Sequence, residues 1–395
     1  MAEFKYLILG AGMTADAAVR GIRDIDPHGS IGLVGSEKDP PYDRPPLSKG
    51  LWKGKPIEKI WRRTEDFDVR LHLGRTVISF DAEKHRLVDE QGEVYSGDKL
   101  LLATGGTPRR LPFGGDHILY YRTLADYQRL AQLSANNQEF AVIGGGFIGS
   151  EIAAALAMNG KKVTMLFPGD GIGSLVFPHD LSQFLNGFYR DQGVEVLAGE
   201  LITGLEVERG RRVLYTQSGL RVAADGIVAG IGILPNIELA KQAGLQTGRG
   251  ILVDENLVTS QPDIYAAGDV AEFFNPALGK RIRVEHEDNA NTMGRIAGHN
   301  MAGASEPYHH LPFFYSDLFD LGYEAAGELD SRLATVADWE EPFKKGVVYY
   351  LNDERVRGVL LWNVWNKIAS ARQLIAEPGP FKLADIAQLK NALAI

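Results

Sequence analysis

Two short glycine runs carry the residue types that receive phosphate. In "GAGMTA", Gly10, Gly12 and Ala15 stand at G-x-G-x-x-A spacing, and in "GGGFIG", Gly144, Gly146 and Gly149 stand at G-x-G-x-x-G, with Phe147 and Ile148 inside the turn. Glycine at such places lets the backbone approach a pyrophosphate, which the start of the following helix then favours. An acid follows each run after roughly 20 to 25 residues, the spacing at which a carboxylate accepts ribose hydroxyls; these acids are Glu37 and Asp170. Glu151, two residues past the second run, fits less easily. A carboxylate is tolerated at a helix start but repels a pyrophosphate, so Glu151 requires a cation from elsewhere in the chain.

Both runs are embedded in one plan. Apolar stretches at 6–9 and 140–143 lead into the glycines, helical stretches follow (150–158 in the second case), and further apolar stretches at 31–34 and 162–167 end near the acids. One such motif is weak, because glycine turns between strand and helix are common for packing alone. Two in the right context imply two dinucleotides, most simply a flavin and a nicotinamide. From about residue 310 the pattern changes to short alternating runs, "FFYSDLFDLGYEAAG" and "KGVVYYLNDERVRGVLLWNVWN", with Asn352-Asp353 as a turn and "LADIAQLKNALAI" as a terminal helix. The expected fold is α/β, with two Rossmann-like dinucleotide-binding domains, for FAD and NAD, plus a C-terminal α+β domain. The expected boundaries are 1–117 with 242–310 for FAD, 118–241 for NAD and 311–395 for the last domain.

Bulk properties narrow the function. At 395 residues the chain exceeds one ordinary core, and 45% hydrophobic with 24% charged residues is a soluble globular composition. A net charge of -9 argues against nucleic acid as the main partner. No apolar run reaches membrane-spanning length, and the start "MAEFKYLILGAG" shows neither signal nor transit features, so a cytoplasmic location is expected. Cysteine is absent, which removes disulfides, thiolate metal sites and any dithiol relay. His309 and His310 read as adjacent residues of an alternating strand, facing opposite ways, so no metal is expected.

Further motifs extend the cofactor reading. "LLATGGTPRR" places Ala103, Thr104 and Gly105 after an apolar strand, and "IYAAGDVAEF" places Gly268 and Asp269 after another, at the mouth of an expected helix. Such an aspartate accepts ribityl hydroxyls, or is simply a helix N-cap. These motifs, with "PYDRPPLSKGLW", "RVEHEDNA" and "GRIAGHNMAG", resemble the apoptosis-inducing-factor-like members of the FAD-dependent pyridine nucleotide oxidoreductases, in the ferredoxin-reductase-like branch. The match runs over nearly the whole chain, with only a short connection at 339–345 where the animal factor carries a long insertion.

The resemblance implies residue roles. Lys49 lies beside the flavin and pairs with Glu151, while Phe147 is an aromatic gate over the ring. Glu285 and His286 flank the pyrimidine side, and Tyr315 stacks where the family carries tryptophan. Arg44 and Arg109 complete the expected FAD set, and Gly232 the NAD set. Pro45 and Pro46 stiffen the approach to Lys49. The expected reaction is hydride transfer from NADH to flavin N5, then release to an external acceptor, quinone-like or a ferredoxin-type protein. NADH is expected over NADPH, since Asp170 is present and no arginine stands near it. A ferredoxin or rubredoxin reductase remains open, with the basic run 49–63 guiding an acidic partner, as do an NADH-gated interaction protein and a homodimer.

Overall fold

A computed structural model describes residues 1–381. The expected helix at 383–395 lies outside the described residues. The chain divides into two compact units, one comprising Met1–Arg44, Ile57–Thr107 and Leu234–Phe313, the other Pro45–Pro56, Pro108–Ile233 and the chain from Phe314 onward.

In the first unit, strand Ala2–Leu9 pairs in parallel with Ile31–Gly35 on one side and Val94–Leu102 on the other. Val69–Leu73 pairs in parallel with Ile31–Gly35 at one edge, while on the other side of Val94–Leu102 the strands Arg86–Asp89 and Val77–Asp81 continue the sheet antiparallel, and Ile264–Ala266 also pairs with Val94–Leu102. Tyr6, Leu7, Ile8 and Leu9 are consecutive and all buried, as a strand covered on both faces requires. Helices Met13–Ile25 and Glu287–Met301 lie against each other with glycine at the seam. A Cβ on Gly298 would strike the Ala18 carbonyl, one on Gly294 the Thr14 carbonyl, and one on Gly21 the Arg295 carbonyl. The two backbones therefore touch, running in the same sense.

In the second unit, Val194–Ala198, Lys162–Phe167, Glu139–Ile143, Gly226–Ala229 and Ile118–Tyr120 form, in that order, a parallel sheet. Its helices include Phe147–Met158 and His179–Asp191. A second sheet orders Phe313–Leu318, Leu321–Gly327, Arg355–Trp362, Lys345–Asn352 and Ala334–Glu341, with Tyr323, Tyr349, Tyr350 and Trp362 all buried. The turn expected at Asn352-Asp353 lies one residue later: Asn352 still pairs with Arg355, and Asp353 and Glu354, both at positive φ, make the two-residue turn. The short connection after Ala334–Glu341 is a hairpin into Lys345–Asn352. Helix Ile368–Ala376 buries Ala371, Leu374 and Ile375, and its amphipathic spacing escaped the sequence reading.

Three local expectations are corrected. The helix expected at 150–158 starts at Phe147, so Phe147 and Ile148 form its first turn; the glycines before it end the loop sooner. Asp269 sits in a single 3-10 turn, Gly268–Val270, and strand Ala271–Asn275 follows instead of a helix, because its residues bury by sheet pairing. His309 and His310 lie in irregular chain, not on a strand; His310 bonds Asp288 at 2.6 Å and His309 stands 3.8 Å from Glu255. Among the described residues no group of three His, Cys, Asp or Glu side chains is placed to hold a metal ion, and no helix is long and apolar enough to cross a membrane.

Candidate functional site

The two glycine turns are built alike. Gly10, at φ 126°, donates to Val34 and lies so close to Ala103 that a Cβ would strike the Ala103 carbonyl. Gly144, at φ 115°, donates to Leu166, and a Cβ there would strike the Gly230 carbonyl. Gly230 thus plays in the second turn the part that Ala103 plays in the first, a parallel legible in "LATGG" and "VAGIG" but not drawn from sequence. Gly12 and Gly146 stand at the N-caps of the two helices in extended conformation, and no side chain caps either helix. A Cβ on Gly12 would meet nothing nearer than an Arg44 nitrogen at 3.9 Å, and one on Gly146 nothing within 4 Å. Open glycines before uncapped helix starts leave amide N–H groups for an anion. Ala15 is fully buried against the core, as the third small position requires.

Around the first turn, Glu37 is held by two neighbours. Tyr42 donates to it at 2.6 Å and Arg44 forms an ion pair with it. Burial works against the Arg44 charge, but Tyr42 and Glu37 outweigh it and hold the guanidinium above its ordinary value. Thr104 donates to the Asn236 carbonyl at 2.9 Å, and the Asn236 amide donates back to the Thr104 carbonyl at 2.8 Å, next to Gly105, whose carbonyl accepts from Asn236 N–H. Arg283 links two expected residues by donating to the Asp269 carbonyl at 2.9 Å and pairing with Glu285 at 2.6 Å. Its buried Nε has no hydrogen-bond partner, a donor left over in this cradle. His286 is the extended N-cap of helix Glu287–Met301. Neither Asn236 nor Arg283 carries a sequence signal beyond its place in "ILPN" and "RIRVEH".

Around the second turn, the question raised by Glu151 has its answer. This carboxylate is only 4% exposed, and three side chains converge on it. Lys49 Nζ lies 2.5 Å from Oε1, Ser316 Oγ donates to Oε1 at 2.6 Å, and Ser48 Oγ donates to Oε2 at 2.5 Å. The Pro45–Leu47 3-10 turn delivers Ser48 and Lys49, and Tyr121 fastens it by donating to the Leu47 carbonyl at 2.5 Å. Burial pushes the Tyr121 phenol far above its usual range. Lys49 also stands 5.3 Å from the centre of the Tyr315 ring, and Phe147 meets Phe314 with ring centres 5.3 Å apart.

The loop after Lys162–Phe167 returns to the glycines, with Gly173 donating to the Gly145 carbonyl at 2.8 Å. Asn186 and Gln183 both donate to the Asp170 carbonyl at 2.9 Å, which leaves the carboxylate pointing outward beside His179 at 3.0 Å. Gly232, at φ 87°, accepts a backbone bond from Arg109 at 2.9 Å, so these two expected residues meet each other.

Comparison with known proteins agrees with this geometry. A family model described as pyridine nucleotide-disulphide oxidoreductase matches residues 4–294. The chain belongs to this family. A second model, for the C-terminal region of apoptosis-inducing factor, matches residues 297–342 and 337–377. The oxidoreductase is 34% identical to apoptosis-inducing factor 1, mitochondrial, of Dictyostelium discoideum, over 99% of the chain and 81% of that protein. It is 32% identical to the ferredoxin–NAD(+) reductase component of the anthranilate 1,2-dioxygenase system of Burkholderia cepacia, over 98% of each. Among solved structures it resembles the covalent putidaredoxin reductase–putidaredoxin complex, with a TM-score of 0.90, 30% identity and 100% and 99% of the two chains covered.

The oxidoreductase is therefore an FAD-dependent enzyme of the apoptosis-inducing-factor and ferredoxin-reductase branch, with FAD and NAD(H) as its cofactors. The residues present fit both groups. The open cradle at Gly12, the uncapped helix start behind it and the leftover Arg283 donor suit FAD, while the open cradle at Gly146 suits a second dinucleotide.

Proposed function

We propose that this oxidoreductase takes a hydride from NADH onto its FAD and passes the electrons to an acceptor outside the protein, with no thiol between. One observation carries the reading: a buried Lys49–Glu151 pair in a chain without cysteine. When bound, FAD supplies a hydride acceptor that releases electrons singly or in pairs. Gly144, Gly146 and Gly149 receive the NADH pyrophosphate, Asp170 accepts the ribose hydroxyls, and Phe147 yields its place to the nicotinamide. Gly10, Gly12, Ala15, Glu37, Arg44, Asp269, Glu285 and His286 serve the FAD. Lys49, held by Glu151, presents positive charge to the flavin as negative charge builds there, a fixed electrostatic aid that needs no reorganisation. No side chain has to act as acid or base. The domain division follows the same lines: 1–117 with 242–310 for FAD, 118–241 for NAD, and 311–395.

Anaerobic mixing with NADH should bleach the flavin absorbance, and NADH should outpace NADPH by at least roughly tenfold, the scale of one good polar contact to the ribose. Equal rates with the two nucleotides would sink the role given to Asp170. Release of FMN instead of FAD on denaturation would remove the reading of the first turn.

A second reading concerns the acceptor. A ferredoxin-type protein in place of a quinone-like molecule is favoured by the likeness to a ferredoxin–NAD(+) reductase component and to the putidaredoxin reductase complex.

A further inference from the structure

Glu151 is approached from two directions. Ser48 and Lys49 come from the proline-stiffened turn, while Ser316 comes from strand Phe313–Leu318 of the C-terminal sheet. Ser316 is 1% exposed and shares Oε1 with the lysine. Tyr323, on the neighbouring strand, places its phenol near the Ser316 hydroxyl and lies flat on Trp362, ring centres 5.5 Å apart and planes within 6°. Burial, and after it the Glu151 charge, keep the Tyr323 phenol protonated. The two hydroxyls thus lead from the core of the sheet toward the carboxylate, which Ser316 reaches.

The contact is made at two points in register. Phe147 and Glu151 are four residues apart on one helix and share a face. Phe314 and Ser316 are two apart on one strand and share a face. Phe314 meets Phe147 while Ser316 meets Glu151. Slipping the strand by one residue would bring Tyr315 or Asp317 to the carboxylate, one oversized and the other of like charge, so the register is strongly specified.

We propose that Ser316 is a positioning residue for the Lys49–Glu151 pair, through which the C-terminal sheet fixes where the lysine charge is presented. The proposal rests on the reading that Lys49 serves the flavin. Glu151 with Lys49 and Ser48 alone has one fewer anchor on Oε1. The carboxylate can then turn about its terminal bond and take the ammonium with it. Hydrogen bonds to an ionised carboxylate are the strong kind, so the loss of one should be felt at the lysine.

The experiment compares Ser316→Ala, Ser316→Thr, Tyr323→Phe and Lys49→Met as FAD-loaded proteins. The readouts are the midpoint potential of the bound flavin and the rate of bleaching by NADH. Lys49→Met should lower the potential, because the reduced flavin loses a favourable cation. Ser316→Ala should lower it in the same direction by a smaller amount and slow bleaching by roughly tenfold, the scale of one hydrogen bond to a charged group. Ser316→Thr, which keeps the hydroxyl, should restore both values. Tyr323→Phe should shift the potential the same way, less than Ser316→Ala, and it carries the test if Ser316→Ala does not fold. A wild-type potential in Ser316→Ala and Tyr323→Phe beside a lowered one in Lys49→Met overturns the proposal and leaves Ser316 a space-filling residue. A potential unmoved by Lys49→Met overturns the flavin reading itself.

Discussion

Burying an ionised carboxylate is tolerated only where donors surround it, and at Glu151 the ammonium is the sole full charge among the three. Removing one partner should therefore hurt more than removing the pair. Lys49→Met alone should destabilise the protein by about 3–5 kcal/mol, with some reduction because Lys49 keeps a little solvent contact. Adding Glu151→Gln to that variant should recover a large part of the loss, and denaturant unfolding of the two single variants and the double variant gives the coupling directly. Additive losses would mean the pair does not act as one unit. At this scale the sequence was legible where chemistry leaves a pattern. Glycine spacing, the acids after the turns and the lysine after two prolines could all be found. The serines at 48 and 316 could not, because a hydroxyl that completes a carboxylate follows no periodicity and is found only by folding the chain.

Two helices of the first unit are tied at their far ends by a charge cluster. His299 of Glu287–Met301 lies 2.9 Å from Asp24 at the end of Met13–Ile25, and 2.7 Å from Glu306. Burial works against its charge, but Glu306 and Asp24 outweigh it and raise the imidazole above its ordinary value. A group raised on folding stabilises most below its unfolded value, about 6.5 for histidine, and that share is lost as pH climbs through the raised folded value. The thermal midpoint should accordingly fall as pH rises from about 6.5 through the raised folded value, by an amount worth on the order of 1 kcal/mol or less. His299→Gln should flatten that part of the profile, and an unchanged profile would dismiss the cluster. Strand, turn, helix and strand were readable at both glycine runs because apolar runs and glycines mark them. The single turn at Asp269 was misread as a helix start: aspartate after glycine suits either, and sheet pairing of Ala271–Asn275 decided it.

The identity of the acceptor is a property of the whole molecule. If a ferredoxin-type protein is the acceptor, reduced enzyme should pass electrons rapidly to an acidic [2Fe-2S] protein, with a rate falling steeply as salt rises. If a quinone-like acceptor is used, that rate should be slow and nearly salt-independent, and the bleached spectrum should persist in air for minutes. Fast ferredoxin reduction together with instant air reoxidation would reject the quinone-like reading. The basic run that suggested steering is smaller than it reads. Arg62 is engaged by Asp16 at 3.1 Å and Asp43 at 2.8 Å and is 13% exposed, leaving Lys53, Lys55, Lys59 and Arg63 on the surface. Charge-reversing Lys53 and Lys55 should weaken the salt dependence, whereas Arg62→Ala should chiefly lower stability. Sequence lists charges without their partners, which is why that distinction was hidden while the family was plain.

The glycine seam between Met13–Ile25 and Glu287–Met301 bears on how a cofactor is received. With no side chain between the backbones, neither helix can slide or roll without parting from the other, and amides along the seam should exchange hydrogen only when the unit opens as a whole. Their N-terminal ends, at Gly12 and His286, are thus a rigid pair of positive poles set before any ligand arrives. Little ordering entropy remains to be lost on binding, so the empty protein should already hold the shape of the loaded one along this seam.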